Sequence, residues 1–116
     1  MKTKERACAN SAFVPADCLE PLDLHCVYAV DALRMSGEEG RPAYLFARWA
    51  LKNLRRAAAN GGPISGNELD NLHDGIALAH DEAALMVSEI GKTALQALEA
   101  ANRILVGAQM RGPRHG

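Results

Sequence analysis

The strongest constraint on what this chain can fold into is the apolar spacing between Asn67 and Met110. Leu69, Leu72, Ile76, Ala79, Ala83, Met86 and Ile90 recur at steps of three and four. That spacing lines side chains along one face of an α-helix. Beyond Ile90 the stripe moves by one residue and continues as Ala94, Leu98, Ala101, Leu105 and Ala108. Two consecutive steps of four act as a stutter, which unwinds a seam locally without ending the helix. Gly91 opposes continuity, because glycine costs about 1 kcal/mol relative to alanine inside a helix and is a common stop residue. Thr93 and Gln96 offer a fresh capping box behind it. Nothing between Ile90 and Ala94 resembles a loop, so the expectation is one long C-terminal helix, bent or broken at Gly91.

Unbroken, that helix spans ~65 Å at 1.5 Å per residue, more than the remaining helical residues can cover. Its seam of Leu69, Leu72, Ile76, Met86, Ile90, Leu98 and Leu105 is therefore expected to be an oligomer interface, in a homodimer or a higher assembly. The seam is too rich in alanine for its residues to select a parallel or an antiparallel pair.

Two shorter helices precede it. The first is expected from Pro21, a favoured first-turn residue, to Ser36, with Gly37 as its stop. Leu22, Cys26, Ala29, Val30 and Leu33 form one face, and Leu24, Val27, Tyr28, Ala32 and Met35 cover most of the rest. A helix that is apolar around most of its circumference is buried on more than one side. The second is expected from Ala43 to Asn60, opened by Pro42, with Ala43, Phe46, Ala47, Ala50, Leu51, Leu54, Ala57 and Ala58 facing inward. A loop dense in turn residues, Asn60 to Asn67, leads to the C-terminal helix, with Asn67 as its expected N-cap. Residues 1–20 read as a flexible arm that docks through Phe13 and Val14, residues 21–110 as the helical domain, and residues 111–116 as a disordered tail.

Composition agrees with an all-α bundle. The apolar share is 48%, much of it alanine, and aromatics are only 4%, which suits closely packed helices better than a sheet. No segment alternates in strand fashion. A net charge of −1 gives no overall attraction to nucleic acid or membrane. No apolar run approaches a membrane span, and no apolar segment follows the N-terminal lysines, so a cytoplasmic location is expected. Three cysteines, Cys8, Cys18 and Cys26, are an odd count and read as thiols rather than a disulfide framework. Their spacings match no compact zinc knuckle.

The chemical features are few. Arg41, Arg48, Lys52, Arg55 and Arg56 share the outer side of the second helix, with Trp49 at its border, and no acidic residue occurs between Glu39 and Glu68. Such a stripe is a phosphate footprint, with Trp49 or Tyr44 able to stack on a base, or else an ordinary solvated face or one paired with acidic groups of the long helix. His73-Asp74 and His80-Asp81 repeat at a spacing of seven on the long helix. Seven residues span ~10 Å, too far for both histidines to hold one ion. The histidines instead flank the seam, where they would make an interface sensitive to pH. A metal-dependent hydrolase built on these pairs is the weakest reading. No nucleophile or phosphate-binding loop appears in a recognisable setting.

The expectation is thus a non-enzymatic regulatory or accessory protein, needing no cofactor and no metal, that self-associates and binds another macromolecule, most simply a protein. The alternative is nucleic-acid or nucleotide binding through Arg41, Arg48, Trp49, Lys52, Arg55 and Arg56.

Overall fold

Four α-helices carry most of the structure, a computed structural model that describes residues 13–61 and 63–111. In chain order the elements are β1 (Phe13–Val14), a 3-10 turn, α1 (Leu19–Met35), a second 3-10 turn, α2 (Arg41–Ala59), β2 (Ile64–Ser65), α3 (Gly66–Ala83) and α4 (Glu89–Arg111). The expected arm up to residue 12 and the expected tail from residue 112 lie outside the described residues. Successive helices run up and down, each packing on two neighbours: α1 on α2 and α4, and α3 on α2 and α4. The result is a four-helix bundle measuring 47 × 24 × 20 Å. No helix is long and apolar enough to cross a membrane among the described residues.

The first half follows its sequence signals. Pro21 sits in the first turn of α1, where a missing backbone N–H costs no hydrogen bond. Gly37 takes φ +66°, the left-handed position that ends a helix without a Cβ penalty. Leu22, Cys26, Ala29 and Leu33 form the buried face of α1. Pro42 lies in the first turn of α2, whose inner face is Ala43, Ala47, Ala50, Leu51, Leu54 and Ala57. Asn53, the one buried polar side chain among the described residues, donates from Nδ2 to the Trp49 carbonyl at 2.9 Å.

Phe13 and Val14 dock as expected, and the structure supplies the means. Val14 pairs with Ile64 and Phe13 with Ser65 in a two-residue antiparallel ladder. Val14 and Ile64 are both buried and close one end of the core. The cap of α3 differs from expectation: Ser65, in extended conformation, is the N-cap residue, and Asn67 lies exposed inside the first turn.

The long C-terminal helix is the main correction. It is two antiparallel helices, broken between Ala83 and Glu89 rather than at Gly91. The turn meets its hydrogen-bonding needs locally. Leu85 and Met86 N–H groups donate to the Glu82 and Ala83 carbonyls at 3.1 and 3.0 Å. Val87 N–H donates to Glu39 Oε2 at 2.9 Å, tying this turn to the α1–α2 turn. Ser88 caps α4, its Oγ accepting the Gly91 N–H at 3.2 Å. Gly91 therefore sits inside α4, buried, where the Met86 side chain crosses so closely that a Cβ would lie 2.6 Å from the Met86 Cβ. Thr93 forms no capping box; its hydroxyl donates back to the Glu89 carbonyl.

The break also removes the basis for an uncovered seam. Leu69, Leu72, Ile76, Leu98 and Leu105 are all 4% exposed or less within the single chain. Met86 and Ile90 are partly buried beside the turn. The apparent stutter after Ile90 marks the end of one helix's stripe and the start of another's.

Candidate functional sites

The basic stripe of α2 divides on the structure. Arg48, Lys52 and Arg55 line one shallow groove with Leu51, of about 320 Å³. Arg55 is neutralised from an element that the sequence left out of account: Nε and a terminal nitrogen hold the two Asp23 oxygens of α1 at 2.9 and 3.0 Å. This fork-to-carboxylate pair raises the arginine's pKa further, mainly through the hydrogen bonds and then the carboxylate charge. The ion pairs among the described residues are Arg55–Asp23, Arg34–Asp31 and Lys92–Glu89, joined by His80–Glu99 when the imidazole is protonated. Arg48, Lys52 and Arg56 take part in none of them and are exposed at four-residue intervals. Arg41 stands apart at the opposite end of α2, against Gly37, Glu38 and Tyr44. Trp49 is 41% exposed, and its ring edge lies against Gly75 of α3. It borders the helix interface as much as the basic face.

The outward face of α1 carries three apolar side chains, with Asp31 between Tyr28 and Met35, exposed and paired to Arg34 at 3.1 Å. Leu24, Tyr28 and Met35 are 47%, 53% and 70% exposed, and their spacing of four and seven places them on one line along the helix. Tyr28 meets the His25 ring edge-on, with centroids 6.3 Å apart. The sequence indicated that α1 is apolar on more than one side; the bundle covers only one of them. Exposed aliphatic side chains also occur off α1: Leu85 and Val87 in the α3–α4 turn at 76% and 86%, Leu45 on α2 at 47% and Leu78 on α3 at 42%.

Beneath the inner face of α1, Cys26 is buried. Burial pushes its thiol up to about 12, with the Asp23 charge adding to the rise and Arg55 opposing it. A thiol so held is not a nucleophile near neutral pH.

Between α3 and α4 runs a groove of about 380 Å³ with an apolar floor, Ile76 and Ala77. His73, His80 and Asp81 stand on its α3 side, and Glu99, Asn102 and Arg103 on its α4 side. His80 Nε2 lies 3.2 Å from Glu99 Oε2. The two histidines do flank the apolar seam, but they face α4 of their own chain. Asp74 is not part of this groove. No group of three His, Cys, Asp or Glu side chains among the described residues is arranged to hold a metal ion. The groove was invisible in the sequence because Glu99 and Arg103 meet the histidines only once the chain turns at Ala84–Ser88. The signal for that turn was present in Ser88-Glu89, a capping residue followed by a first-turn acid.

No protein-family model, curated protein or solved structure matches this chain.

Proposed function

We propose that this chain is a non-enzymatic accessory protein that binds another protein through the outward face of α1. The observation that carries this reading is the line of Leu24, Tyr28 and Met35, exposed on a helix whose opposite face is fully packed. Burying a side chain of this size contributes about 1.5–3 kcal/mol, and helix anchors at such spacing are a common docking mode. Tyrosine is also enriched among the residues that dominate interface energies. A second copy is one form such a partner takes, so self-association belongs to the same reading. The test is a photo-crosslinking amino acid placed at Tyr28 and, as a control, at exposed Gln96 of α4. Discrete adducts from position 28 alone support the reading, and a species at twice the 12.4 kDa chain mass identifies self-association. No adduct from position 28, or the same adducts from both positions, contradicts it.

A second reading rests on a separate observation, the exposed Arg48, Lys52 and Arg56, which enter no ion pair among the described residues. Their spacing of ~6 Å along the helix suits an anionic chain such as a nucleic acid. Binding of a labelled single-stranded oligonucleotide is expected to weaken steeply between about 50 and 200 mM salt. It is expected to disappear with Arg48→Glu and Arg56→Glu together. Absence of binding at the low-salt end removes this reading.

A further inference from the structure

The groove between α3 and α4 is polarised. The His80–Glu99 contact places these two residues level on the antiparallel helices. Four residues on from Glu99, ~6 Å along α4, Arg103 comes level with Ile76 and Ala77, with His73 about one turn further on. Asp81 and Glu99 therefore gather at one end of the groove, and Arg103, Asn102 and His73 at the other. The floor between them is apolar. Arg103 enters none of the ion pairs among the described residues, and its guanidinium fork is a carboxylate-binding group. Glu99 uses one oxygen toward His80 and keeps the other for a donor.

We propose that this groove binds a small zwitterion, a linear amino acid whose carboxylate and ammonium are separated by about 6–9 Å. The carboxylate sits on Arg103, with Asn102 and His73 as further donors. The ammonium sits between Asp81 and Glu99, and the methylene chain lies along Ile76 and Ala77. The volume of about 380 Å³ is at the small end of the range for ligand sites. An acid alone or an amine alone would satisfy only one end. This site lies on α3 and α4 and is independent of the α1 face proposed for a protein partner.

The test is an amide NMR titration of the full chain near neutral pH with three probes: 6-aminohexanoate, hexanoate and hexylamine. The expected result is saturable shifts at His73, Ile76, Ala77, Glu99, Asn102 and Arg103 with 6-aminohexanoate, and at least about tenfold weaker binding of the other two. Arg103→Gln is expected to abolish binding. Glu99→Gln is expected to reduce 6-aminohexanoate to the level of hexanoate. Both residues are exposed, so neither change should disturb the fold, which the amide spectrum itself reports. The proposal is overturned by an absence of saturable shifts in these residues, by binding that survives Arg103→Gln, or by hexylamine binding as tightly as the zwitterion.

Discussion

Replacing Gly75 with alanine tests a close approach between α2 and α3. Gly75 lies in α3 facing α2, where an added Cβ would stand 2.9 Å from the Ala50 Cβ and 3.0 Å from Trp49 Cε3. The Trp49 ring is partly exposed and can swing aside. The Ala50 methyl cannot rotate away, so the helices must separate. Overpacking of this kind costs about 1–3 kcal/mol, against a gain of about 1 kcal/mol from replacing glycine with alanine inside a helix. Gly75→Ala is therefore expected to be neutral to about 2 kcal/mol destabilising, at roughly 4 °C of Tm per kcal/mol. Ala50→Gly removes the obstructing methyl and weakens α2 by about 1 kcal/mol. In that background Gly75→Ala should become stabilising by up to about 1 kcal/mol. The double-mutant cycle then shows a coupling of at least about 1 kcal/mol. Urea unfolding followed by far-UV circular dichroism gives all four free energies. If Gly75→Ala alone stabilises the protein by about 1 kcal/mol, as at an open helical position, the α2–α3 packing described above is refuted.

Other expectations concern charge and burial. The Glu39 carboxylate accepts a hydrogen bond from the Val87 N–H, with Ser88 adding to the effect, and its pKa is held below the usual carboxylate value. Its stabilising contribution is therefore present above the unfolded carboxylate pKa and lost as pH falls through the depressed one; Glu39→Gln should flatten the acid limb of urea midpoints measured against pH, and an unchanged limb counts against the contact. With Cys8 and Cys18 replaced by serine, Cys26 should react with a thiol reagent at least about a hundredfold faster in denaturant than in the native state, and equal rates would contradict its burial. Because the folded thiol titrates near 12 rather than 9.0, Cys26 also favours the folded state below the lower value and loses that contribution as pH rises through the higher one. The Asp23–Arg55 pair bridges α1 and α2 with both partners partly exposed, so a double-mutant cycle should give about 0.5–1 kcal/mol, shrinking with salt; zero coupling at low salt would mean the pair does not form.

The helices were legible in the sequence wherever punctuation and periodicity agreed. Pro21, Gly37 and Pro42 place three boundaries within a few residues of their observed positions. The inward faces of α1 and α2 follow from the apolar spacing, except that Ala58 is exposed and Phe46 only partly buried. The failure was local. Leu85, Met86 and Val87 carry neither glycine nor proline, so the α3–α4 turn looked like helix, while Gly91, the stop signal, lies eight residues beyond the true end of α3 at Ala83. What ends α3 is tertiary: Glu39 from another turn accepts the Val87 N–H, and Met86 folds onto Gly91. That misplaced break turned an intrachain core into an expected oligomer seam. It also hid the α3–α4 groove, whose halves are nineteen residues apart at the His80–Glu99 contact. Likewise Arg55 read as one more free cation, because only the packing of α1 on α2 brings Asp23 to it.

The central claim is that the chain covers its own apolar seam by turning back at Ala84–Ser88. It is tested most directly by the distance between spin labels at Asp74 of α3 and Val106 of α4, both exposed, in a cysteine-free background. With His80 opposite Glu99, these positions are nearly level on adjacent antiparallel helices. Helix axes at that contact are about 8–10 Å apart, so pulsed electron paramagnetic resonance is expected to give a single short distance of roughly 15–25 Å once the label arms are added. A distance near ~48 Å, the length of 32 residues of unbroken helix at 1.5 Å each, would contradict the account and restore a continuous rod that needs a second chain to cover it.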